Sequence, residues 1–483
     1  MPQLHRHLLQ LRQATLLRLI ALTATFFVVC TAISFLYLHD TGDAVLDAGV
    51  NPSAPTGEFV NSTCFTDLDV LRAYTNASAV EYGRLEVAVV STSNFSNFSE
   101  SLDLSIPAFH PIRLDTETTR EGVPEGKCST SLTIPGPVVS PPVNASHLLF
   151  GVATSIERLH DSLDAFAHWA AGTGAHILAV VDEGGSLRIR TEERATLLGL
   201  RLTIIEKWDE EVLDRYFSLV RIFLEHRDAS TQWAVLIDDD TFFPSMCNLV
   251  DRLASYDSTR PQYIGALSED MWHMYLAGHI AYGGAGVFLS LPIVERLAEV
   301  FDDCYLFKGA GDGMIGQCIY AHTDTKLTWD RHLYQLDLRG DVSGFYESGR
   351  PLPLSLHHWK SWHHANVAAL GKVAAVCGAE CLLRRWRLAD GWYLVNGYSI
   401  IQYSRQVRDP AAMEQTWDES KYEGSDPFAY SLGPLRGRDP DKQSFRLKEA
   451  IADGPDRVRQ IYLHERGETD APRVLEVVWK RAS

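Results

Sequence analysis

Between residues 146 and 240, short unbroken apolar runs alternate with stretches of helical period. His147-Leu-Leu-Phe-Gly-Val-Ala153 predicts a first buried strand. Ile156, Leu159, Leu163, Phe166 and Trp169 follow at spacings of three and four, which predicts an amphipathic helix with Ser155 as its N-cap and Gly172 as its stop. His176–Val181 and Leu200–Ile205 predict two more strands, and Phe217 to Glu225 a helix. Trp233-Ala-Val-Leu-Ile237 is a five-residue apolar run that leads straight into Asp238-Asp239-Asp240. Runs this short and this apolar are strands buried on both faces. Their alternation with helices predicts a largely parallel α/β sheet over residues 146–375.

The flanks have a different texture. Residues 376–483 contain the aromatic, strand-like segment Gly391–Tyr403 and the apolar run Val474–Trp479, expected as a small β module or an extra layer on the main domain. The Asp/Arg-rich stretch 406–460 reads as surface helix and loop. Residues 39–145 read as a stem: Leu85–Val90 has a strand pattern, Cys64 and Cys128 are candidates for a bridge, and Ile134–Val143, with four prolines, predicts an extended linker. Ahead of it, Leu19–Leu38 is uncharged and long enough to span a bilayer as a helix. Arg6, Arg12 and Arg18 precede that run, which orients residues 1–18 to the cytoplasm and the remainder to the lumen. It ends in Phe-Leu-Tyr-Leu rather than in the small residues of a cleavage site, favouring an uncleaved anchor.

Five N-glycosylation sequons (Asn61, Asn76, Asn94, Asn97, Asn144) all fall before residue 150, as expected of a glycosylated stem ahead of a compact domain. Of eight cysteines, Cys30 lies in the apolar run; the other seven leave at least one thiol outside any internal pairing. No Cys/His spacing matches a zinc finger. A formal charge of −18 argues against nucleic acid as a partner and would repel small anions, so an anionic ligand requires local cations.

The aspartate triplet ends a buried strand, where ligands of open α/β sheets gather. Three adjacent carboxylates repel unless a cation neutralises them, and hard oxygen donors favour Mg²⁺ or Mn²⁺, ions that carry phosphates. Strand alternation puts Asp238 and Asp240 on one side and Asp239 on the other. A helix cap with a solvated acidic turn is the plainer alternative. Downstream, Tyr282-Gly283-Gly284-Ala285-Gly286 is a tight turn or a place where backbone approaches a ligand; it lacks the Lys-Ser/Thr of a phosphate loop. Asp312, flanked by Gly311 and Gly313, suits either a helix cap or a general base. Trp329–Asp341 is polar and loop-like, offering Arg331 and Arg339 to a phosphate or carboxylate. His357, His358, His363 and His364 crowd eight residues together with Trp359 and Trp362; an imidazole beside the aspartates would favour Mn²⁺, and the indoles suit a sugar face or core packing.

In this order, Trp233–Asp240, Tyr263–Gly265, Gly283–Ser290, Asp312–Gly316 and Ser355–His358 resemble the inverting glycosyltransferases of family 31, which include the Fringe acetylglucosaminyltransferases and the core 1 galactosyltransferases. Tyr334–Gly340, Gly344 and Pro353 look closest to the plant and fungal branch related to Fringe. The resemblance covers roughly residues 146–365 and implies a type A glycosyltransferase fold, a Rossmann-like α/β domain that uses a UDP-sugar donor and Mn²⁺. It implies Asp240 as a metal ligand, with His357 or its neighbour His358 as another, and Asp238 near the ribose or a metal-bound water. Asp312 would be the base that deprotonates an acceptor hydroxyl. Asp239, Gly283, Gly284, Gly286, Arg339 and Trp359 would shape the substrate cleft. The expected acceptor is a glycan or glycoprotein, and the expected place a Golgi membrane, reached as a single-pass type II protein. Many relatives carry an acidic pair at the base; here Gly311 precedes Asp312, which predicts a smaller upward shift of its pKa. A non-catalytic sugar-binding or chaperone-like relative and a metal-dependent phosphoesterase are the competing classes, the latter lacking a second metal's ligands.

Overall fold

A computed structural model describes residues 65–482, apart from 93–99, 103, 123–129, 138–140, 209, 308, 310, 408, 410, 419–428 and 468–469. The anchor expected at 19–38, the residues before it, the sequons at Asn61, Asn94 and Asn97, and both Cys64 and Cys128 lie outside the described residues. Among the described residues no helix is long and apolar enough to cross a membrane.

The expected α/β sheet has seven strands. Across the sheet they run Leu327–Trp329, Tyr263–Gly265, Val287–Ser290, Trp233–Ile237, Leu148–Thr154, His176–Val181 and Arg201–Glu206. All neighbours are parallel except Val287–Ser290, which is antiparallel to the strands on both sides of it. Helix Ile156–Ala170 starts where expected: the Ser155 hydroxyl accepts from Arg158 N–H, and Ile156, Leu159, Leu163, Phe166 and Trp169 are buried. On the opposite face, helices Val212–His226 and Gly311–His322 form a second apolar layer with Phe217, Leu219, Phe223, Met314 and Ile315. Gly151, in the first strand, lets the former helix seat, since a Cβ there would lie 2.6 Å from Phe223.

The flanks differ from expectation. Strands Ala79–Ser91 and Thr130–Gly136, from the expected stem, join strands from residues 385–481 in one ten-stranded sheet. Ala79–Ser91 pairs in parallel with Arg473–Arg481 along nine residues and with Thr130–Gly136 along seven. The boundaries at 145 and 376 therefore cut through one folded layer. The proline-rich Ile134–Val143 misled because its first residues end a strand: Ile134 is fully buried against Val89. Within 406–460, expected as helix and loop, Gln443–Ala452 and Arg457–His464 form an antiparallel pair, whose charged residues alternate with buried Phe445, Ala450, Val458 and Ile461. The two sheets share a continuous core that includes Val87, Ile134, Phe150, Trp169, Trp386 and Trp479.

Candidate functional site

The aspartates sit at the carboxyl end of Trp233–Ile237, in a turn closed by Thr241, whose hydroxyl accepts from Asp238 N–H at 3.0 Å and donates to Gly284 O at 2.9 Å. Alternation separates the three as expected. Asp239 is buried, takes a two-point ion pair from Arg158 (Nε–Oδ2 2.7 Å, Nη2–Oδ1 2.5 Å) and accepts from the Thr154 hydroxyl. Asp238 and Asp240 turn to the other side, where His357 Nε2 lies 3.2 Å from Asp238 Oδ2 and 3.0 Å from Asp240 Oδ1.

His357 is oriented from behind. Its Nδ1 faces Gln335 O at 3.1 Å, so a proton there leaves Nε2 as the free donor atom toward the carboxylates. The ring rests on the turn at Gly284, where a Cβ would lie 2.1 Å from the imidazole; only glycine fits. His358 is engaged on both ring nitrogens, Nε2 with Asp337 Oδ1 at 3.2 Å and Nδ1 with Ser361 Oγ at 3.0 Å, and it stacks on Trp362 at 3.9 Å. Ser361 in turn donates to Asp240 Oδ2 at 2.7 Å. Asp240, His357 and His358 offer ligand atoms within 4.8 Å of one another, a set of hard oxygen and imidazole nitrogen that suits a divalent ion such as Mn²⁺. Burial disfavours the His357 cation, but its hydrogen bonds to Asp238 and Asp240 outweigh this and raise its pKa to about 10. For Asp240, burial is opposed and outweighed by His357 and Ser361, which hold the carboxyl well below its usual range. A divalent cation would take the place of that imidazolium charge.

Asp312 stands in the first turn of helix Gly311–His322 and accepts from Gly283 N at 2.9 Å and Gly313 N at 2.7 Å. Gly283 links the two halves of the site, because a Cβ there would lie 3.7 Å from Asp238 Oδ1. Burial raises the Asp312 pKa, the amides of Gly283 and Gly313 oppose it, and the charges of Asp238 and Asp337 add to the rise. The carboxylates missing beside Asp312 in sequence thus act through space. Gly311 is explained by Tyr216, whose ring would lie 2.4 Å from a Cβ there. The Tyr216 hydroxyl, buried beside Gly283, has no hydrogen-bond partner among the described residues, and the charges of Asp238 and Asp312 act on it.

A cleft of about 430 Å³ opens before the aspartates, lined by Thr154, Ser155, Arg158, Arg215, Asp238 and His357 among others. Arg158 and Arg215 are the local cations that the overall negative charge demanded. Neither was singled out in the sequence, although Arg158 carried a signal: a cation in the first turn of a helix opposes the macrodipole and needs a reason. Of the residues expected to shape the cleft, Asp239 lines it, Gly283, Gly284 and Gly286 form the turn beside Asp238 and His357 without lining it, and Arg339 and Trp359 lie elsewhere. Arg339 stacks over Trp362 at 4.4 Å beside Asp270, His273 and Asp418, and Trp359 lines a separate cavity. Gly286, with φ +94°, ends the turn and feeds the antiparallel strand.

Disulfide Cys304–Cys318 closes the segment that carries Asp312, and Cys377–Cys381 forms a local bridge. Cys247 is a free, exposed thiol.

Residues 270–369 match a family model described as "Protein of unknown function, DUF604". The chain is 31% identical over 152 residues to mouse beta-1,3-glucosyltransferase, covering 30% of this chain and 29% of that protein. It is 32% identical over 104 residues to the human beta-1,3-glucosyltransferase, covering 21% and 20%. The chain thus spans less than a third of the length of the curated relatives it matches. Among solved structures, the mannosyltransferase PcManGT from Pyrobaculum calidifontis, in complex with GDP-Man and Mn²⁺, overlaps 42% of this chain and 60% of its own at TM-score 0.29 and 15% identity. Mouse xyloside xylosyltransferase 1 overlaps 39% and 85% at TM-score 0.27 and 11% identity.

Proposed function

We propose that this chain is a metal-dependent glycosyltransferase of the Fringe-like group, acting on a UDP-sugar with inversion. The observation that carries the reading is the convergence of Asp238, Asp240 and His357 on one side of the Gly283–Gly284 turn with Asp312 on its other side. The partial identity to two beta-1,3-glucosyltransferases supports the same class.

In this reading Asp240 and His357 hold a divalent ion, with Asp238 beside it and His358 fixing Ser361 and, through it, Asp240. Bound there, the ion supplies charge neutralisation for a departing diphosphate. Arg215 and Arg158, the latter held in place by Asp239, are the cleft's guanidinium donors for the same group. Asp312 takes the proton of an acceptor hydroxyl as its oxygen attacks the anomeric carbon, the bond to UDP breaks, and an α-linked donor yields a β-linked product. The raised Asp312 pKa matches a base that must hold that proton. In the same reading the chain is a type II protein of the Golgi membrane with the site in the lumen, which the uncharged run 19–38 and the early sequons support. Exposed Asn76 and Asn144 are free to carry glycans.

The test is UDP release by the full chain across a panel of UDP-sugars with simple glycoside acceptors, with Mn²⁺ and with chelator. Turnover with Mn²⁺ alone, lost in Asp240→Ala and Asp312→Ala while Asp312→Ala still binds UDP, is the expected result. Equal turnover in chelator, or in Asp312→Ala, would refute the mechanism.

A further inference from the structure

The loop from His357 to His364 has two sides. His357, His358 and Ser361 face the aspartates, whereas Trp359, His363 and His364 line a second cavity of about 610 Å³. Lys360 lines it as well. The two sets interleave along the loop, whose backbone is left-handed at His358, φ +56°, a conformation that a non-glycine residue adopts only when held there. The far wall belongs to the ten-stranded sheet: the hairpin turn at Gly397-Tyr398 and Arg446-Leu447-Lys448 of the strand Gln443–Ala452.

We propose that this second cavity binds an anionic glycan, one bearing carboxylate or sulfate groups. In the transferase reading the ligand is the part of the acceptor remote from the reacting hydroxyl. Four observations carry the assignment. First, the lining is basic in a chain whose formal charge is −18. Lys360, Arg446 and Lys448 line it with one carboxylate, Asp341; Arg446 is paired with Asp341 at 3.2 Å and with buried Glu347 at 3.6 Å, which leaves Lys360 and Lys448 as the cations offered to a ligand. Lys360 Nζ donates to two neutral acceptors, Arg158 O at 3.0 Å and Ser162 Oγ at 3.1 Å, so these contacts do not cancel its charge. Among the described residues Lys448 pairs only with the exposed Glu465 at 3.4 Å, a pair that water screens. Second, Lys448 is the extra residue of a β-bulge, where the register shifts between Leu447 and Glu449; bulges re-aim side chains beside binding sites. Third, two of the lining residues, Trp359 and His363, each carry a buried ring nitrogen, Nε1 and Nδ1, with no hydrogen-bond partner among the described residues. Fourth, Trp359 gives the cavity aromatic surface of the kind that packs on sugar rings. A volume of 610 Å³ suits a short oligosaccharide.

The experiment is calorimetric titration of the full chain with three hexasaccharides, without nucleotide or metal: a galacturonic acid hexamer, a sulfated neutral-backbone hexamer and uncharged cellohexaose. One of the charged hexamers is expected to bind about tenfold or more tighter than cellohexaose and to lose most of that margin in high salt. The tighter of the two names the anion. Lys448→Glu and His364→Glu, both substitutions of side chains outside the aspartate cleft, should each weaken it about fivefold or more while leaving Mn²⁺-dependent UDP binding unchanged. Equal affinity for the neutral hexamer, insensitivity to salt, or wild-type affinity in both variants would overturn the proposal. The salt series on the unmodified chain decides the matter even if a variant fails to fold. Binding of the acidic hexamer by a chain that ignores UDP and Mn²⁺ would leave this site standing and remove the transferase reading; the reverse result would do the opposite.

Discussion

At the scale of single residues, the site depends on how little room surrounds His357. Gly284→Ala would drive a methyl group into the imidazole, and relief requires moving the ligand nitrogen away from Asp240. We expect about 1–3 kcal/mol of lost stability and loss of Mn²⁺ binding, read by thermal unfolding and metal titration; a variant that keeps both would show that the ring is not fixed there. pH acts on the same atoms. His357 has a raised pKa, so its stabilising contribution in the metal-free chain is complete below the ordinary histidine value and fades as pH rises toward about 10. Asp240 has a lowered pKa, so its contribution is present above the ordinary carboxylate range and is lost as pH falls through and below it. Because the ion must displace the His357 proton, Mn²⁺ affinity should strengthen by up to about tenfold per pH unit above neutrality. A pH-independent affinity would mean that His357 is not a ligand. The aspartates, Asp312 and the histidine pair were legible in the sequence because each sits at an abrupt change of character, such as apolar run to carboxylate. Tyr216 and Ser361 were not, because each reaches the site from a helix or turn whose local pattern is ordinary, and Arg158 offered only its place in the first turn of a helix, where a cation opposes the macrodipole.

At the scale of elements, the four strands from 148 to 237 and two of the three helices between them followed from periodicity; helix Gly185–Leu197 did not, because it buries only Thr191 and Ala195. The antiparallel strand Val287–Ser290 was hidden behind the glycine turn that introduces it. That turn and helix Gly311–His322 together position the base, and Cys304–Cys318 ties the start of the helix layer to it across a separation of 14 residues. A loop of this length lowers the entropy of the unfolded chain by an amount worth about 3 kcal/mol. Cys304→Ala with Cys318→Ala should therefore lower the unfolding free energy by roughly that amount and cut turnover more than UDP affinity, because Asp312 loosens while the aspartates stay in place. Unchanged stability would mean that the bridge does not form in solution.

At the scale of the whole molecule, the ten-stranded sheet changes how the chain must be cut. Residues 85–90 were legible as a strand, but neither the full extent of Ala79–Ser91 nor its pairing with residues 473–481 was, because partners nearly four hundred positions apart leave no trace in local pattern. The same holds for the alternating strands between 443 and 464, whose charged residues masked their period. A fragment starting at residue 146 removes the parallel partner of Arg473–Arg481 and uncovers Trp479, which is fully buried. We expect residues 65–483 to give a soluble, cooperatively unfolding protein and residues 146–483 to aggregate, as judged by gel filtration and circular dichroism. Two well-folded fragments would show the sheet to be dispensable. Two folded layers also give the molecule two cavities on either side of one histidine-rich loop, one beside the aspartates and one against the second sheet.

The most direct test of the central claim is calorimetric titration of UDP into the full chain with Mn²⁺, with chelator, and with Mn²⁺ in the Asp240→Ala variant. The geometry of Asp238, Asp240 and His357 predicts binding in the first case and about a hundredfold weaker binding or none in the other two. UDP binding that is indifferent to both the metal and Asp240, or no binding to a folded chain in any condition, would contradict it.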